Sequence, residues 1–490
     1  MKGIFYKYSV ALTILSTSLS AASAQTAEQR MSGEPLSLDS CRALALRNNK
    51  AIRIAEENIN AAGHTRSAAR SAYLPGLDFT GGYTYNQRQI ELLGEDAKLP
   101  TMKFNPATGK YEYNVVTNDG QPVIDPTSGL PVFSEVAVIP KEAMSYDTHN
   151  VFFGAVTLAQ PIYMGGQIRA LNKIARYGED MARSLRDQAV QDVIYQVDEA
   201  YWGVISLNEK KKLAQGFVNL VDSLRRSVDA MVEEGVATRS DQLSVEVKYN
   251  EANLTLTKVE NGLSLMRMAL AQICGVDAET MTPLKDEMQE RNEKMISQAM
   301  SIEMEEVYRR RQDLSALRSG ISMLEGKERL VMSEMLPKVA LVGAYSMSNP
   351  NVIHGFEKRF GGGFSIGATL TIPLWHWGGD YHRYQAAKSN TRAQRLLLDE
   401  MKEKVNLQVN QARYSYNEAF KTYDMTVNNL KSAEENLKNA ETGFHEGVLT
   451  ADDVTAAQTA WLKAHSEKID AEIGIRLCDA YLSKVAGLNF

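Results

Sequence analysis

Two short stretches, 212 residues apart, carry the side chains best placed to do chemistry. Glu234-Gly235-Val236-Ala237-Thr238-Arg239-Ser240-Asp241 recurs as Glu446-Gly447-Val448-Leu449-Thr450-Ala451-Asp452-Asp453. A glycine can end a helix in the left-handed conformation, and a threonine with an acid three positions later can cap the next one. Gly235 and Gly447 therefore read as helix stops, and Thr238 with Asp241 and Thr450 with Asp453 as capping pairs. Nothing comparable points to a reaction. The sequence has no Gly-x-x-x-x-Gly-Lys-Ser/Thr phosphate loop, no His-Glu-x-x-His and no Gly-x-Ser-x-Gly. His376 and His382 lie close in sequence but lack a third ligand for a metal. Cys41, Cys274 and Cys478 are too far apart for a disulfide framework or a metal cluster and read as small core residues. No metal, cofactor or enzymatic activity is expected.

The elements around these turns are duplicated. Cys274-Gly275-Val276 is matched by Ala486-Gly487-Leu488 at the same offset of 212, and Tyr73-Leu74-Pro75-Gly76 by Met335-Leu336-Pro337-Lys338. Pro161-Ile162-Tyr163-Met164-Gly165-Gly166 matches Pro373-Leu374-Trp375-His376-Trp377-Gly378-Gly379, with one residue to spare in the second copy. Internal repeats of this kind set the architecture. Each repeat reads helix, strand, loop, strand, long helix, turn, helix. The first covers 25–280, with helices 38–72, 166–233 and 238–275 and strands 76–87 and 149–160; the second covers 297–490, with helices 297–334, 379–445 and 450–487 and strands 339–348 and 362–372. A connecting segment, 281–296, separates them. Residues 88–148 form a long loop rich in proline, asparagine and glycine, facing outside by analogy with barrel loops.

No proline lies between Pro161 and Pro283, or after Pro373. Leu171, Ile174, Met181, Leu185, Ala189, Val193, Val197, Ala200, Val204, Leu213, Phe217, Leu220, Leu224, Val228 and Met231 recur mainly at three- and four-residue steps, and Met401, Val405, Val409, Ala412, Tyr416, Phe420, Tyr423, Val427, Leu430, Leu437 and Phe444 repeat the stripe of a helix packed in a bundle or coiled coil. A helix from 166 to 233 would be on the order of 100 Å long. In the strands, Leu77, Phe79, Gly81, Tyr83 and Tyr85, and again Phe364, Ile366, Ala368, Leu370 and Ile372, alternate with polar or small residues. That is the dyad of a membrane-spanning barrel strand, apolar to lipid and polar to the lumen. Four strands cannot close a barrel alone, so several copies must share one. Three would supply twelve strands.

Residues 1–24 have the layout of a cleavable secretory signal: Lys2 and Lys7, an apolar run from Val10 to Leu19, then Ala22-Ser23-Ala24. No stretch is apolar for the twenty or so residues a membrane helix needs, so strands must make any crossing. A net charge of −6 over 490 residues, with lysine and arginine scattered and no basic run longer than three, lacks the electrostatic footprint of a nucleic-acid binder.

The signal, the duplication, the Leu-Pro start of each first strand, the Pro-aromatic-Gly-Gly approach to each long helix and the Gly-x-x-Thr-x-x-Asp turns together resemble the TolC-type outer-membrane efflux family, over Leu36 to Phe490. The resemblance implies a mainly α, internally duplicated fold. Four strands per chain would contribute to a trimeric twelve-stranded outer-membrane barrel, continued by coiled-coil helices as an α-helical periplasmic tunnel. It further implies a homotrimer in outer-membrane lipid, working with a periplasmic adaptor protein and an inner-membrane transporter of the RND, ABC or MFS type as an exit duct for small molecules or secreted proteins.

By that resemblance the turns lie at the periplasmic mouth. Asp452, Asp453 and Asp241 are then acids for a cation-attracting ring, and Phe444 and Leu449 apolar residues for closing it. Gly235, Thr238, Gly447 and Thr450 stand where the adaptor would grip. Tyr163, Trp375 and Trp377, where strands become helices, suit the aromatic girdle of a membrane interface. The competing reading is an exported coiled-coil scaffold without a pore, which would not need strands with a lipid-facing dyad. A periplasmic adaptor would need more, shorter strands.

Overall fold

The computed structural model describes residues 35–278, 282–287 and 303–488. The signal segment, most of 281–296 and the start of the helix expected at 297–334 lie outside them. The described helices are α1 (Leu38–Asn48), α2 (Lys50–Ser71), α3 (Gln167–Glu233), α4 (Arg239–Cys274), α5 (Met304–Arg310), α6 (Gln312–Ser333), α7 (Gly379–His445) and α8 (Ala451–Val485). Two compact units divide the chain, one helical (up to residue 67, 172–328 and from 385) and one built on a sheet (68–171 and 329–384).

The helical unit takes its cohesion from α3, whose buried Val193, Val197, Ala200, Tyr201, Val204 and Ile205 continue through Leu213, Phe217, Val221, Leu224 and Val228. The same 3.6-residue stripe serves two apolar clusters. One holds Cys41, Ala45, Ile52, Leu270 and Cys274 against the middle of α3, and the other Val245, Leu437, Phe444 and Val454 against its end. A third cluster joins Val307, Leu314, Val405, Val409 and Leu482. Both long helices have 67 residues, about 100 Å at 1.5 Å per residue.

The helix expected at 38–72 is two helices, broken at Asn49, and the described part of 297–334 is likewise broken at Arg311. Both break residues are extended, with ψ of 129° and 119°. The cause is the end of a neighbouring helix, whose last carbonyls have no partner of their own. Asn49 Nδ2 donates to the Ile273 carbonyl at 2.9 Å, and Arg311 Nη1 to the Val485 carbonyl at 3.1 Å. Asn49 Oδ1 also accepts from the Ala51 N–H at 2.8 Å, capping α2. Neither break has a proline or glycine to mark it.

The sheet unit is four antiparallel strands in the order β1 (Gly76–Tyr85), β2 (Asn150–Met164), β3 (Lys338–Asn349), β4 (Gly361–Thr371). Strand β2 runs past Pro161, where its register against β3 shifts. Pairing aligns Leu77 with Leu158, Phe79 with Val156 and Tyr83 with Phe152. It also aligns Val156 with Tyr345, and Tyr345 with Phe364 and Gly343 with Ile366. All of these therefore share one face. Asp78, Thr80, Thr157, Ala344, Ser346, Ser365 and Thr369 share the other. The apolar face is bare, with Leu77 69 % and Ile366 77 % exposed. Among the described residues β1 and β4 each pair on one side only.

The loop at 88–148 is folded on itself rather than extended. Ile90–Glu91 pairs with Ser145–Tyr146 and Ala97–Pro100 with Val136–Ile139. Met102–Asn105 pairs with Lys110–Tyr113 and Thr117–Asn118 with Gln121–Pro122.

Candidate functional site

The two tips, between α3 and α4 and between α7 and α8, are nearly superposable in their bonding. Gly235 and Gly447 have φ of 74° and 73°. In the first tip the Val236 N–H reaches the Met231 carbonyl at 2.8 Å and the Gly235 N–H the Val232 carbonyl at 3.1 Å; in the second, Val448 reaches Gly443 at 2.8 Å and Gly447 reaches Phe444 at 3.0 Å. This is the Schellman arrangement, closing the orphan carbonyls of a helix end. Each following helix opens with a full capping box. Asp241 N–H donates to Thr238 Oγ1 at 3.2 Å and Thr238 N–H to Asp241 Oδ2 at 2.8 Å. Asp453 and Thr450 repeat this at 3.3 and 2.9 Å. The threonine hydroxyl and N–H hold both carboxyls below the usual aspartate range.

Asp241 and Asp453 are thus engaged with their caps, whereas Asp452 points outward and accepts only from Ser244 Oγ among the described contacts, at 3.1 Å. That bond brings the second turn of α4 beside the first turn of α8. Phe444 is 7 % exposed and packs with Val228, Val245 and Val454, so its ring fills the hairpin core instead of facing an opening. Leu449 is exposed and folds back over Gly443, where an added Cβ would lie 2.8 Å from Leu449 Cδ1. Sequence reasoning passed over Val236 and Val448, both over 70 % exposed. Their place immediately after each glycine, where an apolar residue usually turns back onto the helix, was the available signal.

In the sheet unit, Trp375 and Trp377 are exposed between β4 and α7, with ring centroids 6.2 Å apart and steeply inclined. Tyr163, near the end of β2, is also exposed. Trp377 adopts a φ of 52° and Gly378 78°, where the first repeat has Gly165 at 60° and Gly166 at 87°. The offset of 212 therefore runs through this corner without a gap. The pairing of Gly165-Gly166 with Gly378-Gly379 is out by one residue, because the left-handed geometry belongs to the position and not to the residue type. His376 Nδ1 is bonded to Asp380 Oδ2 at 2.5 Å, and the described residues hold no cluster of ligands for a metal ion.

A four-stranded sheet bare on an apolar face, joined in sequence to paired 67-residue helices that turn at capped tips, defines a subunit of an outer-membrane channel. The chain belongs to the outer membrane efflux protein family, which it matches over residues 42–276 and 304–487. It is 22 % identical over 364 residues to the alkaline protease secretion protein AprF of Pseudomonas aeruginosa, spanning 71 % of this chain and 70 % of that one. To the protein CyaE of Bordetella pertussis it is 23 % identical over 324 residues, 64 % of this chain and 66 % of the relative, just under two thirds. The fold is similar to that of the outer membrane protein VceC of Vibrio cholerae, with a TM-score of 0.69 at 13 % identity, covering 92 % of this chain and 96 % of that one. The chain is an exit duct component of the outer membrane, in efflux or secretion.

Proposed function

We propose that three copies of the chain close their sheets into one twelve-stranded barrel and lead cargo outward from a periplasmic adaptor and an inner-membrane transporter. The bare apolar face of the sheet carries this reading, since a soluble scaffold would have no use for Leu77, Phe79, Phe364 and Ile366 turned to solvent. Its two open edges supply the joins. In the helical unit, α7 has no buried residue between Ala412 and Leu437 among those described, while Tyr414 and Met425 stand exposed. On α4, Leu243, Val247 and Leu254 are exposed as well. Two such stripes suit neighbours in a ring of helices.

In this reading the chain is a passive conduit and its partner supplies the energy. Asp452 is the acid of the mouth, with Asp453 holding the backbone that presents it and Asp241 the start of the neighbouring helix whose Ser244 bonds it, and Leu449 lies nearby in the same turn. The tips built on Gly235, Thr238, Gly447 and Thr450 offer Val236 and Val448 to an adaptor. Tyr163, Trp375 and Trp377 meet the lipid headgroups. Cargo is selected by the pump; the name of the AprF relative, a protease secretion protein, favours exported polypeptide as the second reading beside small molecules.

The test is single-channel conductance of purified protein in planar bilayers, comparing wild type with Asp452→Asn. Discrete openings that prefer cations, with that preference weakened about two-fold or more in the variant, are expected. Openings with unchanged selectivity would remove Asp452 from the mouth, and a water-extractable protein without conductance would replace the channel with a scaffold.

A further inference from the structure

Two of the three cysteines meet. Cys41 lies on α1 and Cys274 is the last residue of α4, 233 positions later, yet both are fully buried in one cluster with Ala45, Leu270 and Val197. Cys274 Sγ is 3.6 Å from the Cys41 carbonyl oxygen, so its thiol lies directly against the Cys41 residue. Both are free thiols in this structure. The duplication sharpens the coincidence: the matching positions of the second repeat are Glu303 and Ala486, so both cysteines are present in one repeat and both absent from the other. Packing at this joint does not demand sulfur, because Ala486 fills its place buried and Glu303 is exposed.

We propose that Cys41 and Cys274 are joined by a disulfide in the exported protein. A chain bound for the outer membrane folds in an oxidising compartment, where such bonds form and persist. With Cys274 Sγ 3.6 Å from the Cys41 backbone and both residues enclosed in one cluster, the two side chains are neighbours of the kind a disulfide of about 2.05 Å joins. The oxidant is a disulfide-bearing thiol oxidoreductase of that compartment. A thiolate of one cysteine attacks the carrier disulfide and releases one carrier thiol; the second cysteine, as thiolate, then displaces the other. The chain loses two electrons and two protons, and the carrier leaves as a dithiol. The exchange belongs to folding. Once the joint has closed, its neighbouring thiol and burial push the Cys41 thiol far above its ordinary value, and neither sulfur is exposed.

The bond would clasp α1 to the end of α4. Hydrogen bonds already reinforce that junction, from Leu36 N–H to the Pro283 carbonyl, from Lys285 N–H to the Leu36 carbonyl and from Asn49 to Ile273. Closing so long a loop restricts chiefly the unfolded chain.

Cys478 stands apart on α8 and serves as an internal control. The full-length protein is exported in an oxidising host, purified without reductant, denatured and alkylated. One label on Cys478 is expected, rising to three after reduction, and the non-reduced digest should contain the Cys41 peptide linked to the Cys274 peptide. Cys41→Ser should leave Cys274 alkylatable, giving two labels in place of one. Three labels without reduction would overturn the proposal, as would a link from either residue to Cys478.

Discussion

The two repeats agree at their tips and diverge at their joints. At the tips, glycine φ angles fall within a degree of each other, and the same positions make the same backbone and capping bonds, although Ala237 stands opposite Leu449 and Ser240 opposite Asp452. At the joints, Asn49 stands opposite Arg311 and Cys41 opposite Glu303. Arg42, whose Nε and Nη2 grip both oxygens of buried Asp198 at 2.7 Å, has Met304 as its counterpart, and Asp198 has Asn410. Where function and backbone geometry demand one turn, duplication has kept one solution. Where helix ends only need to be held together, the repeats place their ions differently: the first pairs Arg42 with Asp198 and breaks at a neutral Asn49, and the second packs Met304 against an apolar cluster and breaks at an Arg311 paired with Asp313.

That contrast is broken most forcefully at Asp198. Its side chain is almost wholly enclosed, so Asp198→Ala leaves Arg42 in a joint built for two charges, and removing one member of such a pair costs roughly 3 kcal/mol. Asn410→Ala, at the equivalent place, removes solvent-exposed bonds within α7, from Nδ2 to the carbonyl and Oδ1 of Asn406 and from Arg413 to Oδ1, and should cost less than about 0.5 kcal/mol. Denaturant melts of the detergent-solubilised protein measure both. Equal costs would mean that the ionic joint adds nothing that packing does not already supply.

A smaller effect separates the two strand-to-helix corners. Gly165→Ala places a Cβ 2.7 Å from the Ser333 carbonyl oxygen at a positive φ, and the conformation and the overpacking together should cost about 2 kcal/mol. Trp377→Gly works in the opposite sense. It relieves a left-handed tryptophan worth about 1–2 kcal/mol, less the 0.5–1 kcal/mol or so of freedom that glycine gains when unfolded. A modest rise in stability is expected, together with weaker membrane anchoring if the indole meets headgroups. A fall in stability would show that the exposed Trp375–Trp377 pair contributes more than the strained backbone costs.

Much of this could be read from residue order. The tips were legible because glycine, threonine and aspartate each have a conformational reason to be where they are, and the strands because their dyad alternates over whole lengths. The joints were not. An asparagine or an arginine ends a helix only when another helix end needs its side chain, and that demand comes from residues more than 170 positions away. Phe444 is a related case: the family resemblance puts it at the mouth, while its neighbours in space, Val228 and Val245, pack it in the hairpin core. The equivalence of Trp377 with Gly165 was hidden because residue type points to Gly378 and backbone geometry does not.

The caps are the smallest effect, and they test the agreement instead of the divergence. Thr238→Ala and Thr450→Ala should each cost about 1 kcal/mol, and by the same amount, since the hydrogen bonds differ by only about 0.1 Å. Acid supplies a second handle on the same bonds. Hydrogen bonds from the threonine and its N–H lower Asp241 and Asp453 below the ordinary aspartate value of 3.8. A carboxyl depressed in the folded state binds fewer protons there than in the unfolded chain, so its contribution is complete above about pH 5 and is lost as pH falls through 3.8 and the lower folded value. Amide exchange at residues 238–242 and 450–454 should therefore quicken together below pH 4, after correction for intrinsic rates, and the threonine variants should flatten that response. If only one tip loosened in acid, identical cap geometry would be conferring unequal stability, and the surroundings of the turn, Ser244 against Asp452 first among them, would have to account for it.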